Sequence, residues 1–258
     1  YAKETYRQAQ QEVDRRGEQP LQGAARRREE LDRELPQLEE LNRRLSQTGL
    51  DAAKAAIGGG EDAPLLIQRL RERNLQLQHS REEILQAAER STAVLVGNGM
   101  GQGDDVCRIV YELVTHVRVP LVIDADGINA LARNIDILKR GNCPVVLTPH
   151  RMELSRLTTL PVEELAQQDI QAGRRLAEEY GCTVVLKDAY THTVTPKGEV
   201  WINTSGNAGL AKAGSGDLLA GMIGSLAAQG YPPEQAPACG VWLHGRAADY
   251  AAAQRSQF

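Results

Sequence analysis

The chain has 258 residues, is 41% apolar and 25% charged, and carries a net charge of −4, which is ordinary for a globular protein. The acidic surplus argues against nucleic acid as the main partner, because phosphate binding usually requires a basic surplus. No run of about 18 apolar residues is present, so no membrane span is expected. The chain opens at Tyr1 without Met, and we expect it to be incomplete there.

Four cysteines are scattered along the chain, and no two have the CxxC spacing of a zinc site. Nothing in their spacing indicates a secreted disulfide framework. We therefore interpret them as mostly buried thiols in a reducing cytoplasm, which predicts a cytoplasmic protein.

The first part of the chain is far more charged than the rest. Residues 1–90 hold 33 charged side chains and 6 glycines. The longer segment 91–258 holds 31 charged side chains and 18 glycines. This shift predicts a charged helical module over 1–81 and a second domain over 82–258. Within the module, Leu31, Leu35, Leu38, Leu41 and Leu45 recur at helical spacing. Pro36 is expected to start a helix, and three glycines at 58–60 precede a further helix over about 63–88, which together predict a helical hairpin or short coiled coil.

The second part alternates apolar strands with amphipathic helices. The runs TAVLVGNG, PLVIDADG, CPVVLTPH and CTVVLKD predict four strands, with helices around Asp104–Thr115, Asn129–Leu138 and Val162–Tyr180. This order predicts an α/β fold with a mostly parallel sheet covered by helices on both faces. After Lys187, THTVTPKGEVWINT predicts a hairpin that turns at 196–198, followed by a long helix from about Gly216.

Each predicted strand ends in residues suited to binding a ligand. Ligands bind beyond the carboxyl ends of the strands in open α/β sheets, so we expect these residues to meet along one edge. They are Gly97–Gly101, Asp124, Asp126, Asn129, Thr148, His150, Glu153, Lys187 and Asp188.

Several of these residues suit a structural role equally well. Asp124 and Asp126 fit either a helix cap or ligands that hold Mg²⁺ through water. His150 fits a satisfied histidine at a strand end, and Lys187 either snorkels to solvent or neutralises a phosphate. The GxGxG pattern of Gly97–Gly101 departs from the dinucleotide fingerprint GxGxxG and does not indicate a Rossmann site.

The segment AGSGDLLAG, at residues 213–221, is the strongest local signal. Small residues let the backbone approach a ligand closely, and a helix that starts there points free N–H groups at an anion. Asp217 at this helix start fits either an N-cap or a base beside a phosphate.

The ordered motifs GNGMG, VIDADGINAL, LTPHRMEL, VVLKDAYTHTV and NAGLAKAGSGDLLAGMIG resemble the dehydratase domain of NAD(P)H-hydrate repair enzymes. This ADP/ATP-dependent family has a ribokinase-like fold, and the resemblance covers roughly 82–258. It implies that ADP or ATP, accompanied by Mg²⁺, phosphorylates the added hydroxyl of hydrated NADH or NADPH. Phosphate then leaves, and the dihydronicotinamide is restored.

The resemblance also implies roles for individual residues. Asp217 matches the catalytic base, which also contacts substrate. The nucleotide-binding positions are matched by Lys187, Asp188, Ala189, Tyr190, Thr191, Gly214, Ser215 and Gly216. The positions that contact the hydrated cofactor are matched by Gly99, Gly101, His150 and Asn207.

Two positions depart from the family pattern. Asp188 stands where the family usually has glycine, and Arg151-Met152 replaces a Pro-Gly-like pair. A carboxylate beside nucleotide phosphates is expected to weaken binding unless it points away or binds metal. The family domain also has further chain before GNGMG, so the resemblance implies an incomplete domain.

A second resemblance concerns the charged module. Residues 35–85 resemble the amino-terminal region of bacterial replicative-helicase loaders of the DnaC/DnaI type, which implies a helicase as partner of residues 1–80. The loader's own GxxxxGK[ST] motif is absent. Two alternatives to the dehydratase therefore stay open: an interaction module joined to an inert dehydratase fragment, and a ribokinase-like small-molecule kinase. Related domains often assemble, so a homo-oligomer is a further expectation.

Overall fold

A six-stranded mixed sheet forms the centre of the part of the chain that the computed structural model describes, residues 81–255. The strands lie in chain order; the first four run parallel, and the last two are antiparallel. They are β1 (Val94–Val96), β2 (Leu121–Ile123), β3 (Val145–Leu147), β4 (Thr183–Leu186), β5 (His192–Val194) and β6 (Val200–Ile202).

Helices follow the parallel strands and cover the sheet. They are α1 (Asp104–His116), α2 (Ala125–Leu131), α3 (Arg151–Thr158), α4 (Val162–Tyr180), α5 (Ser215–Ala228) and α6 (Gln235–Arg255), with short 3₁₀ helices at Ile135–Arg140 and Ala208–Leu210. Residues 81–89 are also helical. None of the described helices is long and apolar enough to cross a membrane.

The alternation of side chains along the strands separates two apolar cores. In β2, Leu121 and Ile123 pack with the helices α1 to α4 on one face, whereas Val122 packs with Leu219 and Ile223 of α5 on the other. Strands β2 and β3 are buried along their whole length. Their all-apolar, mostly β-branched sequences fit this two-sided burial, because a polar side chain would lose its water on either face.

The predicted strands, the hairpin and the helix over Val162–Tyr180 are confirmed. The predicted helix over Asn129–Leu138 is wrong. The chain is already helical from Ala125, and non-helical backbone at Asn134 (φ −159°, ψ 75°) separates α2 from the 3₁₀ helix that follows. Helix α6 was not predicted, because its many alanines form no apolar stripe that sequence periodicity could detect.

The charged module lies almost entirely outside the described residues. The leucine stripe, the three glycines at 58–60 and the helicase-loader segment up to residue 80 therefore stay predictions. The end of the predicted helix over about 63–88 falls within the described chain, and it is helical there.

The loop after β1 and the start of α2 touch backbone to backbone at the carboxyl edge of the sheet. Gly97 follows β1 with φ +122°, and a Cβ on it would lie 1.8 Å from the carbonyl oxygen of Asp124 and 2.6 Å from the nitrogen of Gly127. Gly99, in the same loop, also has a positive φ of +67°, but no heavy atom lies within 4 Å of its Cβ position. The first glycine is therefore required for space and conformation, the second for conformation alone.

This contrast predicts unequal effects of alanine at the two positions. Gly97→Ala should lower the free energy of unfolding by more than about 4 kcal/mol, since backbone would have to move. Gly99→Ala should cost only about 1–2 kcal/mol, the strain of a left-handed alanine. Urea denaturation of the full chain measures both, and equal losses would contradict the close approach.

Candidate active site

The loops that follow the first four strands meet at one edge of the sheet, as predicted. The loop after β1 contacts the end of β2 through Asn98, and the ends of β2 and β4 are joined by Lys187 and Asp124. The start of α5 reaches the same place, because Asp217 contacts Asn98. One side chain from each of these elements therefore converges on a single site.

A buried ion pair lies at the centre of this site. The Asp124 carboxylate is 2% exposed and accepts bonds from Lys187 Nζ (2.7 Å), Thr148 Oγ1 (2.6 Å) and Asn98 Nδ2 (3.0 Å). These donors satisfy the charge of a carboxylate that is removed from water. Lys187 therefore points inward, which contradicts the alternative that it snorkels to solvent. Asp124 occupies the N-cap position of α2, but its side chain makes no cap bond, which contradicts the capping alternative for this residue.

Asp126 and Gly101 contact each other at the rim. The backbone N–H of Gly101 donates to Asp126 Oδ2 over 2.7 Å. This bond ties the loop after β1 to the start of α2. Asp126 is thus a structural anchor of the glycine loop.

His150 and Glu153 form a capping box at the start of α3. His150 Nδ1 accepts from the backbone N–H of Glu153, and Glu153 Oε2 accepts from the backbone N–H of His150 over 2.8 Å. The interpretation of His150 as a satisfied histidine at a strand end is therefore confirmed. Its ring is half exposed, and Nε2 lies 3.3 Å from Oε1 of the same glutamate.

Burial raises the pKa of Glu153, whose side chain is only 5% exposed. The bond from the His150 N–H and the positive charge of Lys187, with Nζ 3.9 Å from Oε2, act in the opposite direction. Lys187 thus lies between the buried carboxylates of Asp124 and Glu153, and its ammonium group is closer to Asp124 than to Glu153.

Asp217 differs from the buried carboxylates because it is exposed. Gly214, with φ +84°, is the N-cap of α5, and Asp217 is the third helical residue, so the N-cap interpretation of Asp217 is wrong. Its Oδ1 accepts from Asn98 Nδ2 over 2.6 Å. A carboxylate that is open to solvent can take a proton from a bound hydroxyl.

Asn98 is a site residue that sequence reasoning missed. Its amide nitrogen donates to both Asp124 and Asp217, and so links the buried ion pair to the exposed carboxylate. Its Oδ1 is buried and has no hydrogen-bond partner in the structure. The available signal was that Asn98 is the only polar side chain in the loop Gly97–Gly101.

The proposed nucleotide-binding residues 187–191 form the loop after β4. The N–H of Ala189 donates to Asp188 Oδ1 over 2.7 Å, and Tyr190 is 64% exposed. The Asp188 carboxylate also contacts the guanidinium of Arg151. The two departures from the family pattern therefore pair with each other. At the start of α5, an ideal Cβ on Gly216 would lie 3.6 Å from Lys187 Nζ.

Asn207 uses its side chain within the fold. Its Oδ1 accepts from Gly209 N, and its Nδ2 donates to Asp249 Oδ1 over 3.1 Å. Asp249 also accepts from Gly206 N, and these bonds hold its pKa below the usual range. Helix α6 thus fixes the segment that leads to α5, and Asn207 shapes this approach.

His244 of α6 is buried behind the start of α5. Its Nε2 lies 3.5 Å from Ser215 Oγ, and the residue is 7% exposed. Burial lowers the pKa of His244 below its ordinary 6.5. The neutral ring is therefore the form that packs against this helix start.

Loss of the lysine from the buried ion pair should be costly. We expect Lys187→Met to lower the free energy of unfolding by about 3–5 kcal/mol, because Asp124 stays buried without its counter-charge. Adding Asp124→Asn should recover much of that loss. Lys139→Met is the matched control, since Lys139 is half exposed and its pairs with Asp136 and Glu179 are solvated. Urea denaturation that gives equal losses for the two lysines would contradict the burial.

Burial of His244 predicts a pH dependence of stability. Below pH 6.5 the unfolded ring takes up a proton that the folded ring resists, so stability is lost as the pH falls through the lowered pKa. His244→Gln should remove this component, and the variant's unfolding free energy should vary less between about pH 7 and pH 5. An unchanged pH dependence in chemical denaturation would show that His244 is accessible to protons.

Comparison with known proteins gives the same assignment as the motifs. The family model described as NAD(P)H-hydrate dehydratase matches residues 54–257. A bifunctional NAD(P)H-hydrate repair enzyme, Nnr, from Thermofilum pendens is 43% identical over 176 residues, which cover 68% of this chain and 34% of that protein. The chain thus spans about a third of that relative. The match of the family model begins inside 1–81, and the predicted boundary at 81 stays a prediction.

Two solved structures share the fold. The ADP/ATP-dependent NAD(P)H-hydrate dehydratase of Bacillus subtilis, co-crystallised with ATP/Mg²⁺, is 32% identical with a TM-score of 0.57, covering 67% of this chain and 64% of that chain. A ribokinase-like superfamily protein of Enterococcus faecalis is 30% identical with a TM-score of 0.57. The match covers 69% of this chain and 61% of that chain. The fold is therefore ribokinase-like, and because the family model matches well over half of its residues, the chain belongs to the NAD(P)H-hydrate dehydratase family.

Proposed function

We propose that the chain carries out nucleotide-dependent dehydration of hydrated NADH or NADPH. The observation that supports this most strongly is the exposed Asp217 carboxylate, which Asn98 holds at the start of α5, where the neighbouring Gly216 lies close to Lys187 Nζ. Such an arrangement provides a proton acceptor next to donors for a phosphoryl group. The names of the relatives support the choice of substrate.

In the proposed reaction, Asp217 takes the proton of the substrate hydroxyl. The hydroxyl oxygen meanwhile forms a bond to the terminal phosphorus of ADP or ATP. The bond between that phosphorus and the leaving nucleotide oxygen breaks. The N–H groups at Gly214–Gly216 and the Lys187 ammonium stabilise the negative charge of the transferring group. Phosphate then leaves with the electron pair of the carbon–oxygen bond, and loss of a proton from the neighbouring carbon restores the ring double bond.

Mg²⁺ is proposed to accompany the nucleotide. Among residues 81–255, no group of three or more histidine, cysteine or acidic side chains is placed to hold a metal ion. Mg²⁺ is usually bound by substrate phosphates and one or two carboxylates, so this chain fits that arrangement. The buried, unpartnered Asn98 Oδ1 and the neighbouring Asp217 carboxylate are oxygen ligands of the required kind. When bound, the ion would neutralise phosphate charge.

The remaining parts of the proposal follow from the residues near Asp217. Tyr190, exposed within the nucleotide loop, offers a ring face to the adenine, and the half-exposed ring of His150 offers a contact to the hydrated cofactor. Gly99 and Gly101 would let the cofactor approach the loop backbone.

Four free cysteines in the described chain fit a cytoplasmic location.

The direct test is recovery of the near-ultraviolet absorbance of NADH from its hydrate, with the full chain, Mg²⁺ and either ADP or ATP. Nucleotide-dependent recovery with phosphate release supports the proposal and identifies the phosphoryl donor. A stable phosphate ester without recovery would instead indicate a small-molecule kinase. No reaction from a folded chain would leave the domain an inert fragment.

Asp217→Asn should lower kcat about 10²- to 10⁴-fold, because the amide cannot accept the hydroxyl proton. The melting temperature should change little, since Asp217 is exposed. Asp104→Asn is the matched control, because Asp104 lies in the first turn of α1 and pairs with Arg133 on the surface. Unchanged turnover in Asp217→Asn would remove the assigned base.

A further inference from the structure

The sheet places an arginine against the acidic residue of the nucleotide loop. His150 and Lys187 form a parallel bridge that extends the pairing of β3 with β4. Arg151 directly follows His150, and Asp188 directly follows Lys187. The guanidinium of Arg151 contacts the carboxylate of Asp188. The bridge thus brings the backbones of Arg151 and Asp188 close together, and their side chains form the ion pair.

The carboxylate of Asp188 would otherwise oppose nucleotide binding. It follows Lys187 directly and accepts the Ala189 N–H, within the loop proposed to hold the phosphates. Lys187 is already paired with Asp124. Charges about 10 Å apart or closer interact at moderate salt, so an unpaired Asp188 would repel phosphate. Arg151 is the cation in direct contact with it.

We propose that Arg151 is a positioning residue that sets nucleotide affinity by neutralising Asp188. It acts through the carboxylate, and Asp188 in turn decides how strongly the loop binds a nucleoside diphosphate or triphosphate. The inference rests on the proposed function only in that the nucleotide binds at residues 187–191. It makes the pair an element that sets how tightly this chain binds nucleotide.

A double-mutant cycle on the full chain tests this, with Mg-ADP and Mg-ATP binding measured by calorimetry without hydrated cofactor. At low salt, Arg151→Gln should raise Kd about three- to tenfold, and Asp188→Asn should lower it about two- to fivefold. The double variant should return to within about twofold of the original chain, because both charges are gone. The differences should shrink in about 1 M salt, where screening removes them.

Arg156→Gln is the matched control. Arg156 lies on the same helix, α3, but donates to Asn129 Oδ1 and contacts no carboxylate in the described structure. It should leave Kd within about twofold, which separates a local effect from a general loss of positive charge. Thermal melting of every variant checks folding, and a loss of structure alone would not be reversed by Asp188→Asn.

Three results would overturn the inference. Equal weakening in Arg151→Gln and in the double variant would show that Arg151 does not act through Asp188. An unchanged Kd in Arg151→Gln, with the original chain binding nucleotide, would overturn this inference and leave the proposed function standing. A folded original chain that binds neither nucleotide would overturn both together.

Discussion

The buried pair of Lys187 and Asp124 is the interaction on which the arrangement of the site depends. It joins the ends of β2 and β4, strands separated in the sheet by β3, and it adds Thr148 from the loop after β3. A buried charge must be satisfied by donors, so each partner of Asp124 is held at a defined place. Through Asn98, this constraint extends to Asp217 on α5.

The same network separates two kinds of carboxylate. Asp124 is surrounded by donors and closed to solvent, whereas Asp217 has one side-chain donor and faces solvent. The first holds Lys187 in place, and the second is the residue proposed to take a proton from the substrate. Glu153 takes a third role, because its burial and its bond to the His150 N–H fix the start of α3. Three acidic residues at one edge thus have different tasks, set by their surroundings.

The sheet also explains why residues distant in sequence act in pairs. The parallel bridge that sets His150 beside Lys187 also brings Arg151 near Asp188. An acidic residue in a loop that is proposed to bind phosphate would be unfavourable alone. Paired with Arg151, the Asp188 carboxylate adds little net charge to the loop.

Local pattern was enough to predict most of the fold and the edge on which the site lies. Apolar strand runs, glycine loops and the start of α5 are encoded by neighbouring residues, and the motif order alone indicated the family. Only the tertiary structure decided which side chains meet: Asn98 between two carboxylates, Lys187 turned inward, and Arg151 on Asp188. These contacts join segments far apart in the chain. Which residues make them depends on burial and on strand register, and neither can be deduced from a local sequence pattern.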